Sequence, residues 1–209
     1  MRRVGAAGAL LAIAGLLAGG AGGQEVLQSP YAVTPPDIDG VVGEDEWRAA
    51  ARLTLASRDG GARCVFLVMN DTERLYVGVD AIHDITNTTA SSPPHTGFDN
   101  MAIWFKGEVG YWLYGDGRLR TDRIDARGRR TFHFDSRARG AAMGPPAARH
   151  MMYELSVPLE EIGVALGGTV ATGLHYWDNY DRGPSFWWPR NVGVFLPERY
   201  GRLAISQKP

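Results

Sequence analysis

The sequence predicts an all-β protein, an antiparallel two-sheet β-sandwich of jelly-roll type with one or two short helical turns. Three observations carry that prediction. Glycine and proline, 27 and 12 residues in a chain of 209, punctuate it at short intervals. Between them lie runs in which apolar residues recur at every second position, the period that turns one face of a strand inward and the other outward. Helical periodicity is scarce and confined to two stretches.

Taken in chain order, a first strand is expected over 53–56. In 62–69, Ala62, Cys64, Phe66 and Val68 alternate with Val65, Leu67 and Met69, so both faces are apolar. Such a strand belongs in the middle of a sheet covered on both sides. Cys64 is then a small core residue rather than a nucleophile. In 75–81, Leu75, Val77, Val79 and Ala81 oppose Tyr76, Gly78 and Asp80, and in 100–106, Met101, Ile103 and Phe105 oppose Asn100, Ala102, Trp104 and Lys106. Further strands fall over 109–114, 118–124 and 129–134. In 151–157, Met151, Tyr153, Leu155 and Val157 oppose Met152, Glu154 and Ser156. Strands over 170–177 and 202–206 bring the total to about ten, the scale of a sandwich or jelly roll. The helical turns are expected around 44–51 and after Pro158, since proline suits a first turn.

Composition narrows the function classes. With 22 Lys plus Arg against 23 Asp plus Glu, the chain lacks the basic surface that drives nucleic-acid binding. Its 44% hydrophobic content argues against disorder. A single cysteine excludes an intrachain disulfide framework and any paired-cysteine metal or haem motif. Met1, Arg2 and Arg3, an apolar run over 4–18, and the small residues Ala21, Gly22 and Gly23 read as a cleaved signal peptide over 1–23. The run is too short for a membrane span, and no cysteine follows it to carry a lipid anchor. An extension over 24–35 then leads into one domain over 36–206. Lys106 and Lys208 are the only lysines among many arginines, which suggests GC-rich coding and a bacterial periplasm or exterior.

Several strings occur together in order. Pro36-Asp37-Ile38-Asp39-Gly40 precedes Gly43-Glu44-Asp45-Glu46-Trp47. Arg74-Leu75-Tyr76-Val77 stands before a long loop, and Phe98-Asp99-Asn100-Met101-Ala102-Ile103-Trp104-Phe105 follows it. Tyr153-Glu154-Leu155-Ser156-Val157-Pro158-Leu159 leads to Ile162-Gly163, and the chain closes with Trp188-Pro189 and Tyr200-Gly201-Arg202-Leu203. This series resembles carbohydrate-binding module family 9 and its DOMON-like relatives. The resemblance implies a β-sandwich that binds sugars without catalysis, often beside secreted polysaccharide-degrading enzymes. It also admits haem-binding redox modules of the same fold. One departure concerns the ligand. Xylanase-linked members carry a sugar-contacting Glu where this chain has Ala102, and a loop Trp near Thr96. Their second stacking Trp falls near Val194 or Phe195.

The residues themselves allow similar chemistry. Tyr176, Trp177, Tyr180, Phe186, Trp187, Trp188 and Phe195 are interleaved with Asp178, Asn179, Asp181, Arg182, Arg190 and Asn191. Aromatic rings stack on pyranose C–H faces while planar polar groups take the hydroxyls. The expected carbohydrate-binding set is Phe98, Asp99, Trp187, Trp188, Arg190, Asn191 and Phe195, and the family resemblance implies the polar loop over 82–97 as the other wall. Trp187 and Trp188 cannot both face inward along an extended segment. Calcium, which takes hard oxygen ligands from loops, could be held by Asp178 and Asp181; Asp39, Asp80, Asp84 and Asp99 also lie near strand ends.

Enzyme chemistry finds less support. The pairs Asp122 and Asp125, Asp178 and Asp181, and Glu160 and Glu161 are matched more simply by local ion pairs than by a glycosidase dyad. Eight arginines, Arg118, Arg120, Arg123, Arg127, Arg129, Arg130, Arg137 and Arg139, crowd one stretch with Asp122, Asp125 and Asp135. They suit the solvated face of edge hairpins, or a patch for an anionic glycan such as a uronic-acid polymer. For haem, axial ligands would come from Met143, Met151, Met152, His133 and His150.

Overall fold

The computed structural model describes residues 25–57, 60–85, 99–178, 185–189 and 197–209. The described strands are β1 (Val26–Ser29), β2 (Ala51–Ala56), β3 (Arg63–Asn70), β4 (Arg74–Ala81), β5 (Asn100–Phe105), β6 (Val109–Tyr114), β7 (Leu119–Ile124), β8 (Arg130–Phe132), β9 (Arg139–Met143), β10 (Met151–Pro158), β11 (Thr169–Trp177), β12 (Ser185–Trp188) and β13 (Gly201–Ile205). They form two sheets. The larger runs β1-β13-β11-β5-β6-β7-β8, with β12 also hydrogen-bonded to β11, and the smaller runs β2-β3-β4-β10-β9. Pairing is antiparallel except between β1 and β13. The edge of β11 away from β5 is shared: Thr169–Thr172 pair with β13 and Leu174–Trp177 with β12.

Each expected strand is present, and the inward faces are those the alternation predicts. Phe66, Val77, Met101, Ile103, Phe105, Tyr153 and Leu155 meet in one core between the sheets. The expected signal peptide lies outside the described residues. Among the described residues no helix is long and apolar enough to cross a membrane.

The outer face of the small sheet explains the two-sided strand. Val65, Leu67 and Met69 of β3 pack with Tyr76, Ala32 and Trp47 in a second cluster. The cover is therefore the chain's own N-terminal segment rather than a third sheet. Glu154 of β10 fastens it: one carboxylate oxygen accepts from the Asp39 and Gly40 backbone N–H groups (2.9 and 2.8 Å) and the other from Trp47 Nε1 (2.8 Å). Gly40 has φ +95°, and a Cβ there would come within 2.9 Å of the Ala142 backbone, so only glycine fits. Gly78 leaves the space that the Trp47 ring occupies. Burial pushes the Glu154 carboxyl up to about 7, against the pull of its three N–H donors. Most of the opening family-like string is thus accounted for by packing.

The helical stretches differ from expectation. Residues 44–49 form turns closed by Trp47 N–H to Gly43 O and Ala50 N–H to Trp47 O. The stretch after Pro158 is also turn, and among the described residues the 3-10 turn is at Pro197–Arg199. Cys64 is buried in the core, where desolvation pushes its thiol up. Of the residues weighed as haem ligands, Met151 is core, His150 pairs with Asp80 and His133 is exposed.

Candidate ligand-binding site

The outer face of the large sheet is built from the residues opposite the core on β5, β6, β7, β8, β11 and β12. Strand register sets them in rows. Trp187, His175, Ala102, Trp112 and Arg120 lie side by side across five strands. Next to them run Ser185, Trp177, Asn100 and Tyr114, and on the other side Gly173, Trp104, Gly110, Asp122 and Phe132. Gly110 is required here, because a Cβ would sit 2.5 Å from the Trp104 ring. Its absence lets that indole lie across β6 and meet Trp112 edge-on, with ring centroids 5.9 Å apart.

A cleft of about 240 Å³ opens on this face, lined by Asn100, Trp112, Tyr114, Arg120, Arg130, Phe132 and Trp177. Its floor is charged. The Asp122 side chain is 0% exposed and binds both arginines. Arg120 Nε and Nη2 donate to it at 2.9 and 2.7 Å, Arg130 Nη2 at 2.5 Å and Trp112 Nε1 at 3.0 Å. Arg120 also lies over the rings of Trp112 and Phe132, and Arg130 over Trp104 and Phe132, at 4.8 to 5.6 Å. Beside the cleft, His175 stacks on Trp187 with centroids 3.7 Å apart, and neither ring nitrogen has a hydrogen-bond partner among the described residues. Burial pushes this imidazole down to about 3, so it is neutral at ordinary pH.

The expected sugar-binding residues divide. Trp187 is half-buried on the outer face. Trp188 is buried in the core with Phe186, because 185–188 is strand rather than loop and adjacent side chains point to opposite sides. Asp99, expected beside the ligand, is also buried, facing Asp84 and Asp178. Phe98, Arg190, Asn191, Phe195 and Asp181 lie outside the described residues, as do Thr96 and Val194. Sequence reasoning missed Trp112, Tyr114 and Phe132 as a set. The available signal was Trp112 and Tyr114, two aromatics at i and i+2 on the face opposite Tyr111 and Leu113.

The arginine-rich stretch separates in the same way. Arg120 and Arg130 line the cleft. Arg118 pairs with Asp116, Arg129 with Asp125 and Arg137 with Glu160 at the surface. Of the carboxylates weighed for catalysis, Asp122 is clasped by arginines, Asp125 pairs with Arg129, Glu160 pairs with Arg137, and Glu161 accepts from Tyr111 Oη and Ser136 Oγ; Asp181 lies outside the described residues.

One carboxylate group stands out for a cation. Asp84, Asp99 and Asp178 are all buried, and each offers an oxygen within 4.8 Å of the others. They follow β4, precede β5 and follow β11. Tyr176 Oη donates to Asp84, and His83 Nε2 lies 3.3 Å from Asp178. Burial alone would lower the His83 pKa, but its bonds to Asp178 and to the Arg63 carbonyl leave it raised. Three buried carboxylates of like charge suit a hard divalent ion such as Ca²⁺.

Comparison with solved structures places the architecture. A family 9 carbohydrate-binding module from Caldicellulosiruptor kristjanssonii, in complex with glucose, superposes with a TM-score of 0.61 at 15% identity, covering 88% of this chain and 97% of that one. The same module in complex with cellotriose gives 0.61, 15%, 88% and 95%. A candidate carbohydrate-binding protein from Bacteroides uniformis gives 0.63 at 11% identity, covering 88% and 100%. The chain has the fold of a family 9 carbohydrate-binding module. No family model matches the sequence, and no curated protein does. On this family 9 fold, Ala102 is buried between His175 and Trp112 in the row that borders the cleft. The departure in sequence therefore falls beside the candidate site.

Proposed function

We propose that this is a secreted, non-catalytic carbohydrate-binding domain that takes part in polysaccharide breakdown by holding a glycan in the outer-face cleft. The observation that carries the reading is the cleft lining. Trp112, Tyr114, Phe132 and Trp177 offer ring faces, and Asn100, Arg120 and Arg130 offer planar hydrogen-bonding groups. Rings stack on the apolar side of a pyranose, and planar groups meet its hydroxyls. The likeness in fold to modules solved with glucose and cellotriose agrees with it. So does the engagement of Asp122 and Glu161 in local bonds, which leaves them ill-suited to acid–base work. A structural Ca²⁺ at Asp84, Asp99 and Asp178 belongs to the same proposal. It would fasten together the ends of β4, β5 and β11.

A glycan array of the protein with calcium present tests the reading. A confined set of bound glycans is expected, lost in Trp112→Ala and Trp177→Ala while thermal unfolding stays cooperative. Losing one stacked ring should weaken binding by about 1–3 kcal/mol, judging from aromatic contacts of similar kind. A blank array with folded protein would overturn the proposal.

A further inference from the structure

We propose that the outer face of the small sheet holds a site for a soft monovalent metal ion, Cu(I), formed by the Met143 and Met152 thioethers and the His150 imidazole. Strand register brings the donors together. Met152 of β10 stands directly opposite Met143 of β9 on one side and Asp80 of β4 on the other. Residues paired in this way have Cβ atoms about 4.5–5.5 Å apart. All three face away from the core, because their neighbours Ala142, Met151, Tyr153 and Ala81 face into it. His150 precedes Met152 by two positions, on the same face, and its Nε2 meets a carboxylate oxygen of Asp80.

The two methionines differ from the others in setting. Met69, Met101 and Met151 are fully buried in the apolar clusters, whereas Met143 and Met152 are half-buried and join neither the core nor the cluster under Trp47. Their long, unbranched side chains keep a polarizable sulfur within reach of a solute. His150 adds the orienting device of a metal ligand. A histidine that binds a metal through one ring nitrogen ordinarily donates the other N–H to a carboxylate, which fixes its tautomer and orientation. Asp80 fills that role at Nε2 and leaves Nδ1 as the metal-binding nitrogen. The donor set chooses the ion. Thioether sulfur is soft and selects Cu(I), while Zn²⁺ takes thiolate, imidazole and carboxylate. A thioether also brings no charge, which suits a monovalent ion. The three aspartates at the ends of β4, β5 and β11 offer the opposite chemistry, hard oxygens for a divalent ion.

Titration of the full chain, kept reduced with ascorbate, against the coloured Cu(I) complex of bicinchoninate tests this. A single equivalent of Cu(I) should pass to the protein. Met143→Leu and Met152→Leu keep the side-chain volume and should fold, yet each should weaken the transfer at least as much as the roughly 10–100-fold that loss of an outer-shell partner costs. Cys64→Ala should leave it unchanged, since that thiol lies in the core. In methyl-labelled protein, Ag(I) should shift the Met143 and Met152 resonances and leave those of Met69, Met101 and Met151 in place. Asp80→Asn should weaken the transfer by roughly 10–100-fold while saturating Ag(I) still shifts both methyls, the mark of a positioning residue. If a leucine variant does not fold, the methyl shifts of the parent protein decide alone. No transfer, transfer undiminished in both leucine variants, transfer lost with Cys64→Ala, or unshifted methyls would each overturn the proposal. Equal uptake of Zn²⁺ at the same residues would overturn the choice of a soft ion.

Discussion

The outer faces of the two sheets carry the same kind of residue and meet opposite fates. On the small sheet, Leu67, Met69 and Tyr76 are sealed by Trp47 and the segment around it. On the large sheet, Trp112, Tyr114 and Trp177 stay partly open in a cleft. Each face also has a buried carboxylate, and the partners differ. Glu154 is met by three neutral N–H donors, which is a fastening. Asp122 is met by two guanidinium groups and an indole N–H, which is a charged floor. Neutral donors fix Glu154 by hydrogen bonds alone, whereas guanidinium donors hold Asp122 by charge as well as by hydrogen bonds.

The largest effect should come from unsealing the closed face. Trp47→Ala removes a fully buried indole and one donor to Glu154, at a cost of about 3–5 kcal/mol. In a domain of this size that lowers Tm by roughly 6–20 °C. Sugar affinity of the remaining folded protein should be unchanged. A harmless Trp47→Ala, measured by thermal unfolding, would break the contrast.

Calcium comes next. Adding Ca²⁺ to chelator-treated protein at about a hundred times its Kd should stabilise the fold by about 2.7 kcal/mol, and Asp99→Asn should remove that response. Magnesium should substitute poorly if the ligands are flexible carboxylates. Identical melting with calcium and with chelator would show that the three aspartates bind no ion.

The smallest effect is a pair of opposing pH slopes. His175 has a folded pKa of about 3 against 6.5, so between those values the unfolded chain holds more protons and stability falls as pH falls. Glu154 has a folded pKa of about 7 against 4.5, so the folded chain holds more protons and stability falls as pH rises through that window. Each contributes at most about 1.4 kcal/mol per pH unit. They oppose each other between 4.5 and 6.5, where the parent protein should be nearly flat. Denaturant titrations should therefore show His175→Phe losing stability as pH rises there, and Glu154→Gln losing it as pH falls. Parallel curves for parent and variants would place both groups in water.

The strand pattern was legible because alternation is local. Met101, Ile103 and Phe105, or Tyr153, Leu155 and Val157, announce their inward face without reference to any partner. β9 was not, since Arg139-Gly140-Ala141-Ala142-Met143 has weak strand preference and exists through pairing with β10. β12 was hidden in an aromatic run, so Trp188 was assigned to a binding loop when it fills the core. The site was less legible. Arg120 and Arg130 stood out as members of a basic stretch, yet nothing in their spacing singles them out from Arg118 and Arg129.

The sequence by itself determined the all-β class, ten of the strands with their core faces, and the need for a cover over β3, because these follow from side-chain period and burial of apolar surface. Tertiary structure alone decided which aromatics remain open, which arginines share a carboxylate, and which three aspartates face one another. Those groupings depend on register between strands distant in the chain, and register is settled by the packing of the whole sandwich rather than by any one segment.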